Sequence, residues 1–207
     1  MPPRREGAER HGEAREKHGE ARERMREARV GDRVIRLMAG DITSLDIEAF
    51  VYDARADLVL GAGYGTAIAT RGGPSIQQEL RQIGSVPVGE AVVSAAGKMR
   101  AKFIIHAVAP KFGEADEEPK LRAATQNALT RAAERGITRL ALPALSAGFY
   151  GMPAERSARI MLAAVRDHLE GQTTLQEVVF CLLDSRQLLS FERVLDALDG
   201  RSVAKSA

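Results

Sequence analysis

The segment LPALSAGFYGMP, Leu142–Pro153, contains a strand end, a loop of small residues and a helix start in direct succession. The apolar residues Leu140–Pro143 are typical of a buried strand, and Pro153 suits the first turn of a helix. Two glycines, Gly148 and Gly151, allow the backbone between these elements to approach a ligand without an intervening Cβ atom. Backbone N–H groups in such a loop can bind an anion, but an ordinary strand-to-helix turn uses glycine as well.

Strand and helix patterns alternate on both sides of this loop, from Arg33 onward. Apolar runs such as FIIHAVA and VVFCLL are continuous, which indicates strands that helices cover on both faces. The pattern predicts a three-layer α/β/α domain with a mixed, mostly parallel sheet. The predicted strands are Arg33–Leu37, Ala49–Tyr52, Ala91–Ala95, Phe103–Val108, Arg139–Leu142 and Glu177–Leu183, and the predicted helices are Gly65–Arg71, Pro74–Ile83, Pro119–Arg135, Pro153–Glu170 and Arg186–Leu198.

The bulk properties suit a single α/β domain with an appendage, because the chain has 207 residues, a net charge of +2 and 44% hydrophobic residues. No apolar run approaches the roughly 20 residues that span a membrane, and the N-terminus has no signal-like apolar segment, so we expect a cytoplasmic protein. The one cysteine, Cys181, lies in an apolar run and is predicted to be a buried core thiol. No cofactor or metal site is predicted, since His11 and His18 lack further ligands.

Residues 1–30 form a charged N-terminal arm in which the hexamer HGEARE occurs at His11–Glu16 and again at His18–Glu23. The repeated positions are polar, and the glycine in each repeat costs a helix about 1 kcal/mol. We therefore expect a solvated, partly formed helix or a disordered tail, with contact to nucleic acid or a protein partner as a further option. The domain is expected to span residues 31–200, with a frayed C-terminus at 201–207.

Two further loops follow predicted strands and are expected to meet the first loop at the carboxyl edge of the sheet. Asp41, in Gly40-Asp41-Ile42-Thr43, is either the N-cap of a short helix through Leu45 or an acceptor for a donor on a ligand. The segment GAGYGT, Gly61–Thr66, leads into a helix, and its alternate glycines resemble a phosphate-binding nest. Its spacing is not that of a dinucleotide-binding GxGxxG motif.

Together these segments resemble the macro domain family, which binds ADP-ribose and has an α/β/α fold. The similarity covers about Val34 to Leu198. The segments that carry it are Gly40–Thr43, Leu58 with Gly61–Ile68, Val86–Ala91, Phe103–Val108 and Leu142–Gly151.

The resemblance implies a role for each loop in binding ADP-ribose. Asp41 would accept a hydrogen bond from the adenine amino group, and the N–H of Ile42 would face adenine. Backbone N–H groups of two loops would hold the diphosphate and the distal ribose; these residues are Gly61, Ala62, Gly63, Tyr64, Ser146, Ala147, Gly148, Phe149 and Tyr150. Tyr150 would line the distal ribose or only cover its loop, and His106 is predicted to be a core histidine.

The chain departs from hydrolytic macro domains at Tyr52-Asp53-Ala54-Arg55, where the resemblance leads us to expect Asn-Ala-Ala-Asn. The second asparagine usually holds the distal ribose and orients the attacking water, and the aspartate of the glycine-rich loop in MacroD-type hydrolases corresponds to Gly65. Because a guanidinium only donates and stays protonated, Arg55 would pair with a phosphate or carboxylate, or form a salt bridge with Asp53 or Asp57. A salt-bridged position at the surface is the expectation for both aspartates.

The adenine-stacking aromatic that often follows the last strand is also absent, since that region reads Asp184-Ser185-Arg186-Gln187-Leu188. Arg186 would replace the stacking only in part. The end of the predicted cleft that receives adenine therefore differs from the family pattern.

Three functions stay open from the sequence. The first is an ADP-ribose-binding module with weak or no hydrolysis. The second is a hydrolase of ADP-ribosyl or O-acetyl-ADP-ribose esters, or of a terminal phosphate on ADP-ribose, in which Asp53 or Asp57 supplies a new carboxylate. The third is a degenerate fold that binds another ligand or a protein. The intact loops favour the first two functions, and the altered Tyr52–Arg55 segment favours the first and third.

Overall fold

The computed structural model describes residues 26–148 and 150–205 of the chain, with side chains as far as residue 199. The strands are β1 (Arg26–Val30), β2 (Arg33–Ala39), β3 (Ala49–Asp53), β4 (Ala91–Ala95), β5 (Phe103–Ala107), β6 (Arg139–Leu142) and β7 (Glu177–Leu182). The helices are α1 (Tyr64–Gly72), α2 (Pro74–Ile83), α3 (Glu117–Glu134), α4 (Ala154–Glu170) and α5 (Ser185–Lys205), together with a short 3-10 helix at Ile42–Ser44.

These strands form one mixed sheet in the order β1-β2-β7-β6-β3-β5-β4. The central strands β2, β7, β6, β3 and β5 run parallel, whereas the edge strands β1 and β4 pair antiparallel to their neighbours. The predicted mixed, mostly parallel sheet is therefore confirmed. Because the parallel strands end at one edge, the loops after β2, β3 and β6 lie together there.

Helices cover both faces of the sheet, which explains why the strand sequences are continuously apolar. Helices α3, α4 and α5 supply Leu129, Leu162 and Phe191 to the larger core cluster, together with the side chains of that sheet face. Helices α1 and α2 supply Ile68 and Leu80 to a second cluster on the opposite face. The domain thus has the three layers that the sequence predicts.

Two buried polar side chains occupy the structural roles expected of them. His106 is fully buried, its Nε2 atom lies 2.8 Å from Ser94 Oγ, and burial lowers its pKa to about 3. A neutral histidine inside β5 is a core residue, as predicted. Cys181 is likewise buried, in β7.

The domain is longer than predicted at both ends. Residues Arg26–Val30, which the sequence pattern assigns to the arm, form β1 and pair with β2, so the folded domain includes them. The sequence of β1 is mostly charged and only Ala28 is buried, so no apolar pattern predicts a strand there. Helix α5 continues past Leu198 to Lys205, through residues predicted to fray. The prediction for the remainder of the arm, residues 1–25, lies outside the described residues.

None of the helices in the described ranges is long and apolar enough to cross a membrane.

The turn after β4 depends on a backbone contact that only glycine allows. Gly97 has a φ of +58°, and a Cβ atom added to it would lie 2.1 Å from the carbonyl oxygen of Gly72. The N–H of Lys98 donates to that same oxygen at 3.0 Å, so the end of α1 and this turn touch through their backbones.

We therefore predict that Gly97→Ala lowers the free energy of unfolding by about 2 kcal/mol or more, because it combines a left-handed backbone with a backbone clash. Gly31→Ala is the matched control: Gly31 has a φ of +61° but no heavy atom within 4 Å of an added Cβ. It should lower stability by only about 1 kcal/mol. Urea unfolding followed by circular dichroism measures both, and equal losses would contradict the contact.

Candidate functional site

Three loops converge at the carboxyl edge of the sheet, and side-chain contacts connect them. We call them the first loop (residues 40–45), the glycine loop (residues 61–66) and the serine loop (residues 146–148, 150 and 151). Asp41 of the first loop forms an ion pair with Arg71 of α1, the helix that follows the glycine loop, with Oδ2 and Nη1 2.7 Å apart. Asp53, at the end of β3, accepts a 2.8 Å hydrogen bond from the N–H of Ser146. The sequence-predicted loops are therefore neighbours in space.

Asp41 acts first as a helix cap. Its Oδ1 atom accepts from the N–H of Thr43 at 3.0 Å and from the Thr43 hydroxyl at 2.6 Å, which confirms the predicted N-cap role. Partial burial opposes ionisation, but the hydrogen bonds from Thr43 and Arg71 outweigh it and lower the pKa of Asp41. The carboxylate is thus ionised near neutral pH, and Oδ2 keeps acceptor capacity beside Arg71.

Ile42 is buried at the start of the 3-10 helix, and within the described chain its N–H donates to no protein acceptor. This leaves a free backbone donor beside the Asp41 carboxylate, the pairing of donor and acceptor that an adenine edge requires.

The glycine loop presents backbone donors at the start of α1. The N–H groups of Gly61, Ala62, Gly63 and Tyr64 have no acceptor among the described residues. Gly63, the N-cap, has φ 60° and ψ −129° and gives α1 no side-chain cap. Uncapped N–H groups at a helix N-terminus attract an anion, because the helix dipole adds to their own polarity.

Gln77 of α2 holds the segment before this loop in place. Its Oε1 atom accepts from the N–H of Leu60 at 2.8 Å, and its amide donates to the carbonyl of Leu58 at 3.2 Å. Leu58 itself has a φ of +54°, a conformation that a leucine adopts only where its surroundings require it. The glycine loop is therefore positioned by a side chain that the sequence patterns do not single out.

The serine loop is held by three hydrogen bonds at its first residue. Ser146 is fully buried with a φ of +63°; its N–H donates to Asp53, its hydroxyl donates to the carbonyl of Pro110 at 2.6 Å, and its carbonyl accepts from the N–H of Met152 at 2.9 Å. These bonds stabilise a left-handed serine that would otherwise be strained. The N–H of Gly148 donates to no described acceptor and is left available to a ligand.

The structure gives a different outcome for each of the remaining predicted ligand residues of this segment, Ala147, Phe149 and Tyr150. The N–H of Ala147 donates to the carbonyl of Ala144, so that donor is already used. Phe149, a predicted ligand residue, lies outside the described residues. Burial raises the pKa of Tyr150, and the charges of Asp53 and Arg55 also act on it, so its side chain lies near those two residues.

Asp53 lies under the serine loop rather than on the surface. Its Oδ1 atom is buried and has no hydrogen-bond partner in the described chain, although the residue as a whole keeps some exposure. Burial raises the pKa of Asp53 to about 7, and the N–H groups of Ser146 and Ala109 only partly oppose this. The surface salt bridge expected for Asp53 is not formed, because its carboxyl accepts from the backbone N–H of Ser146 instead.

Arg55 and Asp57 form an exposed ion pair with two contacts, Nε to Oδ1 at 3.0 Å and Nη2 to Oδ2 at 2.7 Å. The hydrogen bond from Arg55 lowers the pKa of Asp57 to about 2. Of the partners predicted for Arg55, the structure thus shows Asp57. Contact between Arg55 and a ligand stays a prediction, for which its exposed guanidinium is accessible.

Tyr52, on β3, packs against Gly65, at the start of α1. A Cβ atom added to Gly65 would lie 2.6 Å from the Tyr52 hydroxyl oxygen, so the hydroxyl packs directly over the glycine. The Tyr52 ring meets the His106 ring edge-on, with centroids 5.9 Å apart. Burial raises the pKa of Tyr52 to about 12, so this hydroxyl is neutral.

The end of the cleft beside β7 is open. Leu183, directly after β7, is 60% exposed, and Arg186 extends into solvent beside Asp184. Arg186 is paired with Asp184 at the surface, and its partial stacking on adenine stays a prediction. Across the described residues, no group of three or more His, Cys, Asp and Glu side chains is arranged to hold a metal ion.

Comparison with known proteins gives the family to which this architecture belongs. The family model described as Macro domain matches residues 53–161. A macro domain-containing protein of Caldanaerobacter subterraneus subsp. tengcongensis is 39% identical over 171 residues, which cover 80% of this chain and 97% of that protein. A macro domain-containing protein of Cupriavidus necator is 36% identical over 167 residues, 77% of this chain and 96% of that protein. The chain belongs to the macro domain family.

Solved structures agree with this assignment. The macrodomain of Oceanobacillus iheyensis with ADP superposes with a TM-score of 0.81 at 23% identity, over 86% of this chain and 97% of that one, and supports the fold. The Trypanosoma brucei macrodomain in complex with ADP-ribose superposes with a TM-score of 0.73 at 26% identity, over 78% of this chain and 68% of that one.

The contact between Tyr52 and Gly65 predicts a coupled effect of mutations. Gly65→Ala should lower the free energy of unfolding by about 1 kcal/mol, because the added methyl group displaces the Tyr52 hydroxyl. In a Tyr52→Phe background the nearest remaining atoms lie 3.4 Å from that Cβ, so Gly65→Ala should become neutral or stabilising there. Thermal or urea unfolding of the four proteins in this double-mutant cycle measures the coupling; additive effects would contradict the contact.

Proposed function

We propose that this protein binds ADP-ribose at the carboxyl edge of its sheet. One observation carries the proposal: free backbone N–H groups of the glycine loop and of Gly148 lie at the same edge of the sheet, where the Asp53–Ser146 hydrogen bond anchors the serine loop to the end of β3. Backbone donors of this kind suit a diphosphate, because they bring polarity without a mobile side chain. The carboxylate of Asp41 and the N–H of Ile42 then lie on the adjacent loop for the base.

The relatives support this ligand class. The solved Trypanosoma brucei macrodomain contains ADP-ribose, and the Oceanobacillus iheyensis macrodomain contains ADP. In our proposal adenine lies at the first loop, the diphosphate lies between the glycine and serine loops, and the distal ribose points towards Tyr150 and Arg55.

Weak or absent hydrolysis is the second part of the proposal. The carboxyl of Asp53 is buried against Ser146, and the carboxylate of Asp57 is paired with Arg55, so neither is presented to a water above the distal ribose. Tyr52 and Gly65 stand where the resemblance leads us to expect an asparagine and an aspartate. The Tyr52 hydroxyl fills the space that a side chain at position 65 would need. Processing of a terminal phosphate on ADP-ribose, a cytoplasmic location and a partner for residues 1–25 stay predictions from the sequence.

We predict that the protein binds ADP-ribose saturably in isothermal titration calorimetry and that Gly148→Glu abolishes the binding. Gly148 does not have a positive φ, and an added Cβ would have no heavy atom within 4 Å, so the variant should fold. The loss of affinity would then come from negative charge and bulk in the diphosphate path. Gly171→Glu, at the end of α4, adds the same side chain remote from the cleft and should leave the affinity unchanged. Unchanged affinity of a folded Gly148→Glu variant would contradict the assigned phosphate site.

Hydrolysis gives a separate test. With a mono-ADP-ribosylated protein or O-acetyl-ADP-ribose as substrate, we expect turnover slower by about 10²-fold or more than that of a macro domain carrying the Asn-Ala-Ala-Asn motif, because no group positions water. Chromatography of released ADP-ribose measures it. Comparable turnover that disappears in Asp53→Asn would overturn this part of the proposal in favour of the rewired hydrolase.

A further inference from the structure

Asp53 is a buried acid directly beneath the loop proposed to bind the diphosphate. One carboxyl oxygen accepts from the N–H of Ser146 at 2.8 Å, and the other is buried with no hydrogen bond of good geometry in the described chain. The N–H of Ala109 also acts on the carboxyl, but together with that of Ser146 it only partly offsets the effect of burial. An ionised carboxylate has several lone pairs to satisfy, so this environment suits a neutral carboxyl group better than an ionised one. Neither the binding of adenine nor the helix caps explain why the chain keeps an acid here.

We propose that Asp53 is a positioning residue whose neutral, protonated form holds the serine loop ready for the ligand, so that binding of the diphosphate is coupled to uptake of a proton. This inference rests on the proposed function, because it assigns the diphosphate to the serine loop. Asp53 acts through Ser146 and does not itself contact the ligand.

The coupling between ligand binding and proton uptake follows from two negative charges, one on each side of Ser146. The diphosphate brings negative charge to the outer side of the serine loop, and an ionised Asp53 would place another negative charge on its inner side. Two like charges across a loop in a partly buried site repel more strongly than they would in water. Protonation of Asp53 removes this repulsion while Oδ2 still accepts from the N–H of Ser146.

Among the residues that the structure describes, no neighbouring cation replaces this proton. Of the charged groups that act at this end of the cleft, Arg55 is paired with Asp57 in the loop after β3, while Glu114, from the loop after β5, adds negative charge near Tyr150. The two tyrosines, Tyr52 on β3 and Tyr150 in the serine loop, have raised pKa values and stay neutral.

His106, on the neighbouring strand β5, is buried with its pKa lowered to about 3 and stays neutral as well. The pKa of Asp53, raised to about 7 by burial, therefore places its titration in the range where ligand binding can change with pH.

The test is calorimetric titration of the full chain with ADP-ribose between about pH 6 and pH 8.5. If only the protonated form of Asp53 accepts the ligand, Kd rises by up to about tenfold for each pH unit above 7. We expect a rise of at least about fivefold over this range, with net proton uptake at the alkaline end when buffers of different ionisation enthalpy are compared.

Asp53→Asn keeps a carbonyl oxygen for the Ser146 N–H and carries no charge, so its affinity should be independent of pH. Asp57→Asn is the matched control, and the quantity compared is the change of Kd with pH rather than Kd itself. This variant should keep the pH dependence of the wild-type protein. Wild-type affinity that varies less than about twofold over this range, without proton uptake, would overturn the coupling and leave the proposed function intact. If Asp53→Asn does not fold, the pH dependence and proton uptake of the wild-type protein still decide whether the coupling exists. Absence of binding at every pH would overturn the proposed function itself.

Discussion

The hydrogen bond from the Ser146 N–H to Asp53 is the contact on which the arrangement of the site depends. It joins the end of β3 to the loop after β6, and these two parallel strands pair through only a short stretch of their length. Because the same bond helps to hold Ser146 in a left-handed conformation, it also sets the direction of the serine loop. A buried carboxyl group, in addition to a short strand pairing, thus anchors the serine loop to the end of β3.

The departures from the hydrolytic pattern are physically connected. The Tyr52 hydroxyl occupies the space above residue 65, so any side chain there would collide with it. A glycine at position 65 and a tyrosine at position 52 therefore belong to one packing arrangement. In the same segment Arg55 is satisfied by Asp57 on the surface. Packed or paired side chains therefore stand where the family resemblance places the groups that orient water.

The backbone groups of the proposed binding edge do not depend on these changes. The donors offered to an anion are N–H groups of residues 61–64 and of Gly148, and they depend on loop conformation rather than on side-chain identity. Arg71 and Gln77 contribute indirectly, because they hold Asp41 and the segment before the glycine loop. Side chains at the distal end can therefore change the chemistry of the site without removing the N–H groups that are proposed to bind the diphosphate.

The sequence alone determined the layer architecture, nearly every strand and helix, and the three loops that carry the site, because apolar periodicity and the positions of glycine and proline are local signals. It also determined which hydrolytic side chains are absent. Only the tertiary structure separated Asp53 from Asp57, since one carboxyl is buried against a residue 93 positions away and the other pairs with a near neighbour at the surface. Strand β1 and the roles of Arg71 and Gln77 likewise came from the structure. The reason is the same in each case: burial and long-range hydrogen bonds depend on which distant segments the fold brings together, and no local pattern records that.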